Sequence, residues 1–203
     1  MIAKVKICGI TNPRDARAAA DAGASFLGLN FYPRSPRFID ATRACEIADA
    51  VRGQVKLVGV FVNSTAEEVT AIDQRVGLDL LQFHGDESPA FVAQWGRRGL
   101  PAVRWRDAND ARRVREHPRA WGVLVERRDA VLYGGTGESW DYSQVAPLAA
   151  EVRLVLAGGL GPDNVREALR STRAYGVDVC SRVESAPGIK DERLMRLLME
   201  EIV

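Results

Sequence analysis

Short apolar segments alternate with longer amphipathic segments along the whole chain, and no other feature constrains the fold as strongly. The apolar segments are dense in Val, Leu and Ile without strict polar alternation, which is typical of parallel strands covered on both faces. They predict strands at Ala3–Cys8, Phe26–Phe31, Lys56–Phe61, Leu78–Phe83, Ala102–Trp105, Gly122–Glu126, Leu154–Leu156 and Gly176–Cys180. Helical periodicity predicts helices at Pro13–Ala22, Ala41–Val51, Thr65–Gln74, Pro89–Arg97, Asp107–His117, Tyr142–Ala150, Pro162–Arg170 and Asp191–Glu201.

This order of strands and helices predicts an α/β fold, a single (β/α)₈ barrel domain that spans residues 1–203. The alternative is an open doubly wound sheet, which binds dinucleotides or flavin at a switch point. The first strand–helix turn, Cys8-Gly9-Ile10-Thr11, has no G-x-G-x-x-G sequence, and no Walker lysine loop follows any strand. Both absences favour the barrel.

Capping residues support several of the predicted helix starts. Ser64 with Glu67 three residues later predicts a capping box, and Ser88 precedes a helix that opens on a proline. Asp163 follows Pro162 in another predicted first turn, where a negative charge suits the helix dipole.

The composition limits the classes of function. With 28 Lys and Arg against 27 Asp and Glu, the net charge is +1, which argues against a nucleic-acid-binding protein. Three widely spaced cysteines do not form a disulfide framework and suit a reducing compartment. No apolar segment approaches the roughly 18 residues of a membrane span, and no signal peptide is evident. We expect a cytoplasmic protein, a monomer or homodimer, with no nucleic-acid or membrane partner.

Cys8 ends the first predicted strand and stands just before a helix that begins at Thr11-Asn12-Pro13. A thiol at a strand's carboxyl end and close to a helix N-terminus is easily ionised, and barrels carry their chemistry at that end. A buried cysteine on a strand is also common as a small core residue.

The residues that follow the other strands are expected to share one rim with Cys8. Gly158-Gly159 and Ser181 follow the seventh and eighth strands, where backbone N–H groups commonly bind phosphate in barrels. Together these residues favour a small phosphorylated substrate. The alternative is that these glycines only form tight turns. The other rim residues include Gln82, His84, Arg104, Glu126, Gly134, Gly135, Asp178 and Arg182.

Among these rim residues, Cys8 and Glu126 are the best-placed acid/base pair, a potential thiolate and a carboxyl on opposite sides of the rim. Arg37, in a proline-bracketed loop, has the planar fork that binds a carboxylate, although a surface pair with Asp40 is an equal alternative. His84 suits a hydrogen-bonded structural role, and His117 is expected to be solvated. No group of residues has metal-ligand spacing, so we expect no metal.

Seven segments of the chain resemble the phosphoribosylanthranilate isomerase family of tryptophan biosynthesis, in order and at the family's spacing. They are Lys6–Thr11, Tyr32–Arg37, Val60–Asn63, Gln82–Glu87, Tyr133–Gly137, Ala157–Leu160 and Val183–Asp191. The resemblance implies a (β/α)₈ barrel that converts N-(5-phosphoribosyl)anthranilate into the 1-deoxyribulose aminoketose by an Amadori rearrangement, without a cofactor.

The resemblance also implies residue roles. Glu126 takes the place of the general acid that protonates the ring oxygen, and Cys8 that of the general base that removes the C2 proton. Arg37 corresponds to the residue that binds the anthranilate carboxylate, and Asp178 to an aspartate that faces the pocket. Backbone amides at Gly158, Gly159 and Ser181 correspond to the phosphate site, and Gln82, His84, Gly134, Gly135 and Arg182 to further substrate contacts.

Two rim positions depart from the family pattern. Glu126 stands where the family has aspartate, which moves the carboxyl out by one methylene. Arg182 stands where the family usually has glycine, and a side chain there opposes a left-handed backbone. These departures leave open two alternatives to the isomerase, a barrel that binds the phosphorylated ligand without turnover and another phosphosugar isomerase or epimerase.

Overall fold

The computed structural model describes residues 2–127 and 141–202. Eight parallel strands close into one barrel in chain order, with the eighth strand paired to the first. The strands are β1 Lys4–Cys8, β2 Phe26–Asn30, β3 Lys56–Phe61, β4 Leu80–Phe83, β5 Gly99–Trp105, β6 Val123–Arg127, β7 Leu154–Leu156 and β8 Gly176–Val179. This arrangement confirms the predicted (β/α)₈ barrel.

The α-helices lie between and after the strands. They are α1 Pro13–Asp21, α2 Ala41–Ala50, α3 Ala66–Val76, α4 Pro89–Ala93, α5 Ala111–Arg115, α6 Val165–Thr172 and α7 Glu192–Glu200. Four 3₁₀ segments, at Gly96–Arg98, Ala108–Asp110, Tyr142–Ala150 and Ser181–Val183, and a hairpin of β9 Glu184–Ala186 and β10 Ile189–Lys190 complete the described elements. No described helix is long and apolar enough to cross a membrane.

Three predicted helices were wrong in length or type. The segment after β4 is a helix of only five residues, and the one after β5 is equally short. The segment at Tyr142–Ala150 forms a 3₁₀ helix with Pro147 inside it. Proline has no N–H to donate and clashes with the preceding turn, so it opposes a regular α-helix there.

Two predicted caps were also wrong. The capping box is formed by Thr65 and Glu68 rather than by Ser64 and Glu67, because α3 begins one residue later than expected. Both pairs have the same spacing, so the sequence alone does not distinguish them. Asp163 lies before α6 instead of in its first turn, and its carboxylate accepts a hydrogen bond from Arg182.

The strands are buried on both faces, which explains their continuous apolar sequence. The side chains that point outward from the barrel pack against the helices and form the larger hydrophobic core. The side chains that point inward fill the barrel and form a second, smaller cluster of Phe26, Val58, Leu80, Leu100, Leu124, Val155 and Ala157. Two residues beyond Leu80 and Leu124, on the same face of the strands, are Gln82 and Glu126. A polar layer therefore lies above the apolar interior, toward the carboxyl ends of the strands.

Candidate active site

A cavity of about 530 Å³ opens at the carboxyl ends of the strands. Its walls come from strands and loops on most sides of the barrel. Twenty of the described residues line it, among them Cys8, Asn30, Tyr32, Arg37, Val60, Gln82, His84, Glu126, Gly158, Gly159, Asp178, Cys180 and Ser181. A volume of this size suits a small organic ligand. Most of the rim residues predicted from the strand ends therefore line one pocket.

Cys8 ends β1, and its half-buried thiol faces the cavity. The pKa of this thiol lies well below its usual value, first because Cys180 hydrogen-bonds it and then because the charges of Lys6 and Lys190 outweigh its burial. The sequence had suggested the N-terminus of α1 as the cause. The structure instead attributes the shift to side chains on β1 and β10 and to Cys180, which follows β8. The thiolate is the form that accepts a proton.

Glu126 lies at the end of β6 and is held by a chain of hydrogen bonds. His84 Nε2 lies 2.6 Å from Glu126 Oε1, and His84 Nδ1 lies 2.7 Å from Gln82 Nε2. Burial alone raises the pKa of Glu126, but the charge and hydrogen bond of His84, with Arg104 and Lys6, keep that pKa below its usual value. Burial alone lowers the pKa of His84, but Glu126 outweighs it and raises that pKa. Both shifts favour an imidazolium beside a carboxylate. An imidazolium donates from both ring nitrogens, so in this state the Gln82 amide turns its oxygen, which otherwise has no partner among the described groups, toward His84 Nδ1.

Asp178 on β8 pairs with Lys6 on β1 across the strand closure. Lys6 Nζ lies 2.8 Å from Asp178 Oδ1, and both side chains are less than one tenth exposed. Burial, together with the negative charge of Cys8, raises the pKa of Asp178 to about 6 although Lys6 opposes the shift. Asp178 and Cys8 both line the cavity, and Lys6 holds one oxygen of the Asp178 carboxylate.

Arg37 projects from the loop after β2, and its partner is Glu184 rather than Asp40. Its Nε lies 2.9 Å from Glu184 Oε1 and its Nη2 lies 2.6 Å from Oε2. Lys190 Nζ approaches the same carboxylate at 2.8 Å. Asp40 instead caps α2. Because Glu184 uses the Nε–Nη2 edge, the Nη1 side of the guanidinium is the part left to meet a ligand carboxylate.

The loop after β7 has the geometry expected of an anion site. Gly158 and Gly159 both have positive φ, at 84° and 71°, a conformation that only glycine adopts readily. The carbonyl of Gly158 accepts a hydrogen bond from Tyr142 and that of Gly159 accepts one from Asn164 at 2.9 Å. Both carbonyls are thus tied to the protein, which orients the adjoining N–H groups. Ser181 lines the same side of the cavity.

Arg182 does not line the cavity. Its guanidinium pairs with Asp163, and its side chain packs against Gly161, where a Cβ would lie 2.7 Å from Arg182 Nε. Among the described residues, only Asn63 and Arg173 have positive φ without being glycine, so the backbone at Arg182 is not left-handed. Arginine in place of glycine at position 182 therefore causes no backbone strain.

The structure thus brings nine of the proposed site residues into one cavity, Cys8, Arg37, Gln82, His84, Glu126, Gly158, Gly159, Asp178 and Ser181. Gly134 and Gly135 lie outside the described residues. His117, expected to be solvated, is half-buried, and its Nδ1 has no partner among the described groups. Burial lowers the pKa of this histidine.

Sequence reasoning missed Lys6, Glu184, Lys190 and the pairing of Cys180 with Cys8. A lysine inside an apolar strand was a usable signal for Lys6, since a buried lysine requires a partner. Within residues 2–127 and 141–202, no group of three or more His, Cys, Asp or Glu side chains is placed to hold a metal ion.

Comparison with known proteins identifies the family of the chain. The model of the family "N-(5'phosphoribosyl)anthranilate (PRA) isomerase" matches residues 5–201. A protein of Rubrobacter xylanophilus named N-(5'-phosphoribosyl)anthranilate isomerase is 44% identical over 198 residues, which are 96% of both chains. One of the same name from Acidithiobacillus ferrooxidans is 46% identical over 193 residues, 95% of this chain and 93% of the relative.

Solved structures agree as well. Phosphoribosyl anthranilate isomerase from Thermotoga maritima matches with a TM-score of 0.92 and 33% identity over 98% of both chains. A phosphoribosyl anthranilate isomerase in complex with reduced 1-(o-carboxyphenylamino)-1-deoxyribulose 5-phosphate matches with a TM-score of 0.88 and 33% identity, also over 98% of both chains. The chain therefore belongs to the N-(5'-phosphoribosyl)anthranilate isomerase family, which confirms the resemblance seen in its motifs.

Proposed function

We propose that this chain isomerises N-(5-phosphoribosyl)anthranilate to 1-(2-carboxyphenylamino)-1-deoxyribulose 5-phosphate in L-tryptophan biosynthesis, with Cys8 and Glu126 as its acid/base pair. The observation that carries the proposal is the single cavity that holds an ionisable thiol and a hydrogen-bonded carboxyl, in a chain of this family.

The reaction begins with ring opening. A proton goes to the ribose ring oxygen, the C1–O bond breaks, and the anilino nitrogen forms a C=N bond with C1. Glu126 is the proton donor in this proposal. Because its pKa is low and that of His84 is high, the proton rests on His84 Nε2 and reaches the carboxyl over the 2.6 Å hydrogen bond. His84 acts here as a positioning residue that keeps Glu126 supplied.

The second step removes the C2 proton. The Cys8 thiolate accepts that proton, and the electrons of the C2–H bond form a C1–C2 double bond while the C=N bond becomes an amine. The resulting enolamine then tautomerises to the aminoketone. The positive charges of Lys6 and Lys190 favour the thiolate before the step.

The two acidic ends of the substrate have separate partners in this proposal. The Nη1 side of Arg37 binds the anthranilate carboxylate, while Glu184 holds the other edge and fixes the plane of the fork. The N–H groups of Gly158, Gly159 and Ser181 bind the phosphate, since positive φ at both glycines lets the backbone approach the anion closely. Asp178 and Gln82 are proposed to contact the sugar.

Two measurements test the function. The purified chain should convert N-(5-phosphoribosyl)anthranilate, followed by the change in fluorescence of its anthranilate group, and it should restore growth of a tryptophan auxotroph that lacks this isomerase. Cys8→Ser is the matched control, because a hydroxyl is far harder to ionise than a thiol. Binding of the reduced product analogue without turnover would instead favour the ligand-binding barrel.

A monomer or homodimer in the cytoplasm remains part of the proposal. Light scattering after size exclusion gives the mass in solution, to be compared with the 22.3 kDa of one chain. Fractionation of cells that express a tagged chain gives the compartment.

A further inference from the structure

Cys180 is a second thiol in the cavity, and the proposed reaction makes no use of it. It follows β8 directly, whose register with β1 pairs Asp178 with Lys6 and Val179 with Ile7. The next residues along the two strands are Cys180 and Cys8. Their side chains point to the same face as the Lys6–Asp178 pair, because strand side chains alternate with a period of two.

The spacing suits a covalent bond between these two residues. Neighbouring strands lie about 4.7–4.9 Å apart, and the Cα atoms of disulfide-bonded cysteines are usually about 4.4–6.8 Å apart. The two thiols are close enough that each shifts the pKa of the other, lowering that of Cys8 and raising that of Cys180. Glycines border both sulfur atoms. A Cβ at Gly28 would lie 2.8 Å from Cys8 Sγ, and one at Gly9 would lie 3.2 Å from Cys180 Sγ.

The surroundings of the pair are rich in positive charge, which favours a reactive thiolate. Lys6 lies below Cys8, and Lys190 Nζ lies 4.0 Å from Cys180 Sγ and 3.2 Å from the carbonyl oxygen of that residue. Arg37 adds a third cation on the same side. Asp178 and Glu184 bring the opposing negative charges. Both sulfurs line an open cavity, so a small oxidant reaches them from solvent.

The remaining cysteine lacks these features. Cys45 lies on α2, where its thiol donates to the carbonyl of Arg75, 3.4 Å away. It does not line the cavity, so it provides an internal control for reactivity within the same chain.

We propose that Cys8 and Cys180 form a redox-sensitive thiol pair that closes to a reversible disulfide when the chain meets a hydroperoxide. The Cys8 thiolate attacks one peroxide oxygen, the O–O bond breaks, and the leaving oxygen takes a proton and departs as water or an alcohol. The sulfenic acid on Cys8 is then attacked by the sulfur of Cys180. The S–S bond forms, the S–O bond breaks, and hydroxide leaves with the Cys180 proton as water.

In balance, two thiols lose two hydrogen atoms and one peroxide O–O bond is reduced. A dithiol such as dithiothreitol reverses the step by thiol–disulfide exchange. The disulfide removes the thiolate that accepts the C2 proton, so turnover stops while the bond persists. This consequence for activity rests on the proposed role of Cys8, whereas the formation of the bond does not.

The test treats the full chain and its Cys45→Ser and Cys180→Ser variants with hydrogen peroxide, and then maps their tryptic peptides without reduction. The parent and Cys45→Ser should give a linked pair of peptides 7–14 and 174–182, lighter by two hydrogen atoms than their sum. Both proteins should lose activity together with their free thiols and regain it in dithiothreitol. Cys180→Ser should give no linked pair, and peroxide should carry its Cys8 to sulfinic acid, whose loss of activity dithiothreitol does not reverse.

Two results would overturn the thiol pair. The first is a parent protein whose Cys8 is oxidised to sulfinic acid without any linked peptide. The second is a Cys180→Ser variant that recovers in dithiothreitol as fully as the parent. A parent that forms the linked peptides and keeps its activity upholds the pair but removes Cys8 from the proposed mechanism.

Discussion

His84 Nε2 and Glu126 Oε1 lie 2.6 Å apart and join the end of β4 to the end of β6 across the mouth of the barrel. Glutamate is one methylene longer than the aspartate of the family pattern, so its carboxyl has more freedom. The hydrogen bond to His84 restricts that freedom, and Gln82 fixes the imidazole in turn at 2.7 Å. The longer acid is therefore held in one place by its neighbours, which matters because a misplacement of about 1 Å costs about a hundredfold in rate.

Replacing His84 tests this relationship. His84→Gln keeps a hydrogen-bond donor but removes the positive charge that holds the pKa of Glu126 down, so that pKa should rise. We expect kcat to fall about tenfold and its pH profile to move to higher pH. Carbon NMR of the labelled carboxyl measures the pKa directly. His117→Gln, which changes the other histidine outside the cavity, should alter neither quantity.

Glu126 itself should be indispensable. Glu126→Gln retains the size of the side chain but cannot donate a carboxyl proton, so kcat should fall by about 10²–10⁴-fold with little change in KM. Glu126→Asp should be milder, because it keeps the acid and shortens its reach. Steady-state kinetics of both variants decide the matter, and a Glu126→Gln enzyme as fast as the parent would exclude Glu126 as the general acid.

Arg37→Lys should weaken substrate binding more than it slows turnover. Lysine keeps the charge but loses the planar fork that contacts Glu184 and a ligand carboxylate together. A hydrogen bond to a charged group contributes about 1.5–3 kcal/mol, so KM should rise about ten- to a hundredfold. Arg43→Lys, at an exposed position on α2 outside the cavity, is the matched control. Equal effects of the two changes would contradict a specific carboxylate contact at Arg37.

The Lys6–Asp178 pair should contribute to stability, because replacing one partner leaves the other as an unpaired buried charge. Lys6→Met leaves the buried Asp178 carboxylate without its ammonium partner and should lower the free energy of unfolding at pH 7 by about 3–5 kcal/mol. Urea denaturation measures the change. The double variant Lys6→Met, Asp178→Asn removes both charges and should recover part of the loss; no recovery would mean that the loss has another cause.

The same pair predicts a pH dependence. The pKa of Asp178 is about 6 in the folded chain, against about 3.9 for an unfolded aspartate. As the pH rises from about 4 to about 6, the unfolded chain releases this proton first, so the contribution of Asp178 to stability falls across that window and is constant above it. When urea denaturation is repeated at several pH values, Asp178→Asn should remove the fall in the free energy of unfolding that Asp178 causes between about pH 4 and pH 6. A slope identical in parent and variant would contradict the raised pKa.

Local sequence determined the repeating order of strands and helices. The strands are continuous apolar segments because both of their faces are buried. The helices show apolar residues at helical spacing because only one of their faces is buried. Local sequence also determined the positions of Cys8, Gly158 and Gly159, because a residue at a strand's end lies on the rim of any such barrel. Local sequence did not distinguish the Thr65–Glu68 cap from the equally spaced Ser64–Glu67 pair.

The tertiary structure alone decided which rim residues meet. Lys6 and Asp178 are separated by 172 residues, and Arg37 and Glu184 by 147, so each pair depends on the closure of β8 onto β1 and on the fold of the final hairpin. The same closure places Cys180 beside Cys8, and the pairing of β4 through β5 with β6 places His84 beside Glu126. The register between strands is set by the packing of the whole barrel, and the ionisation of each buried group depends on the charges which that register brings within reach.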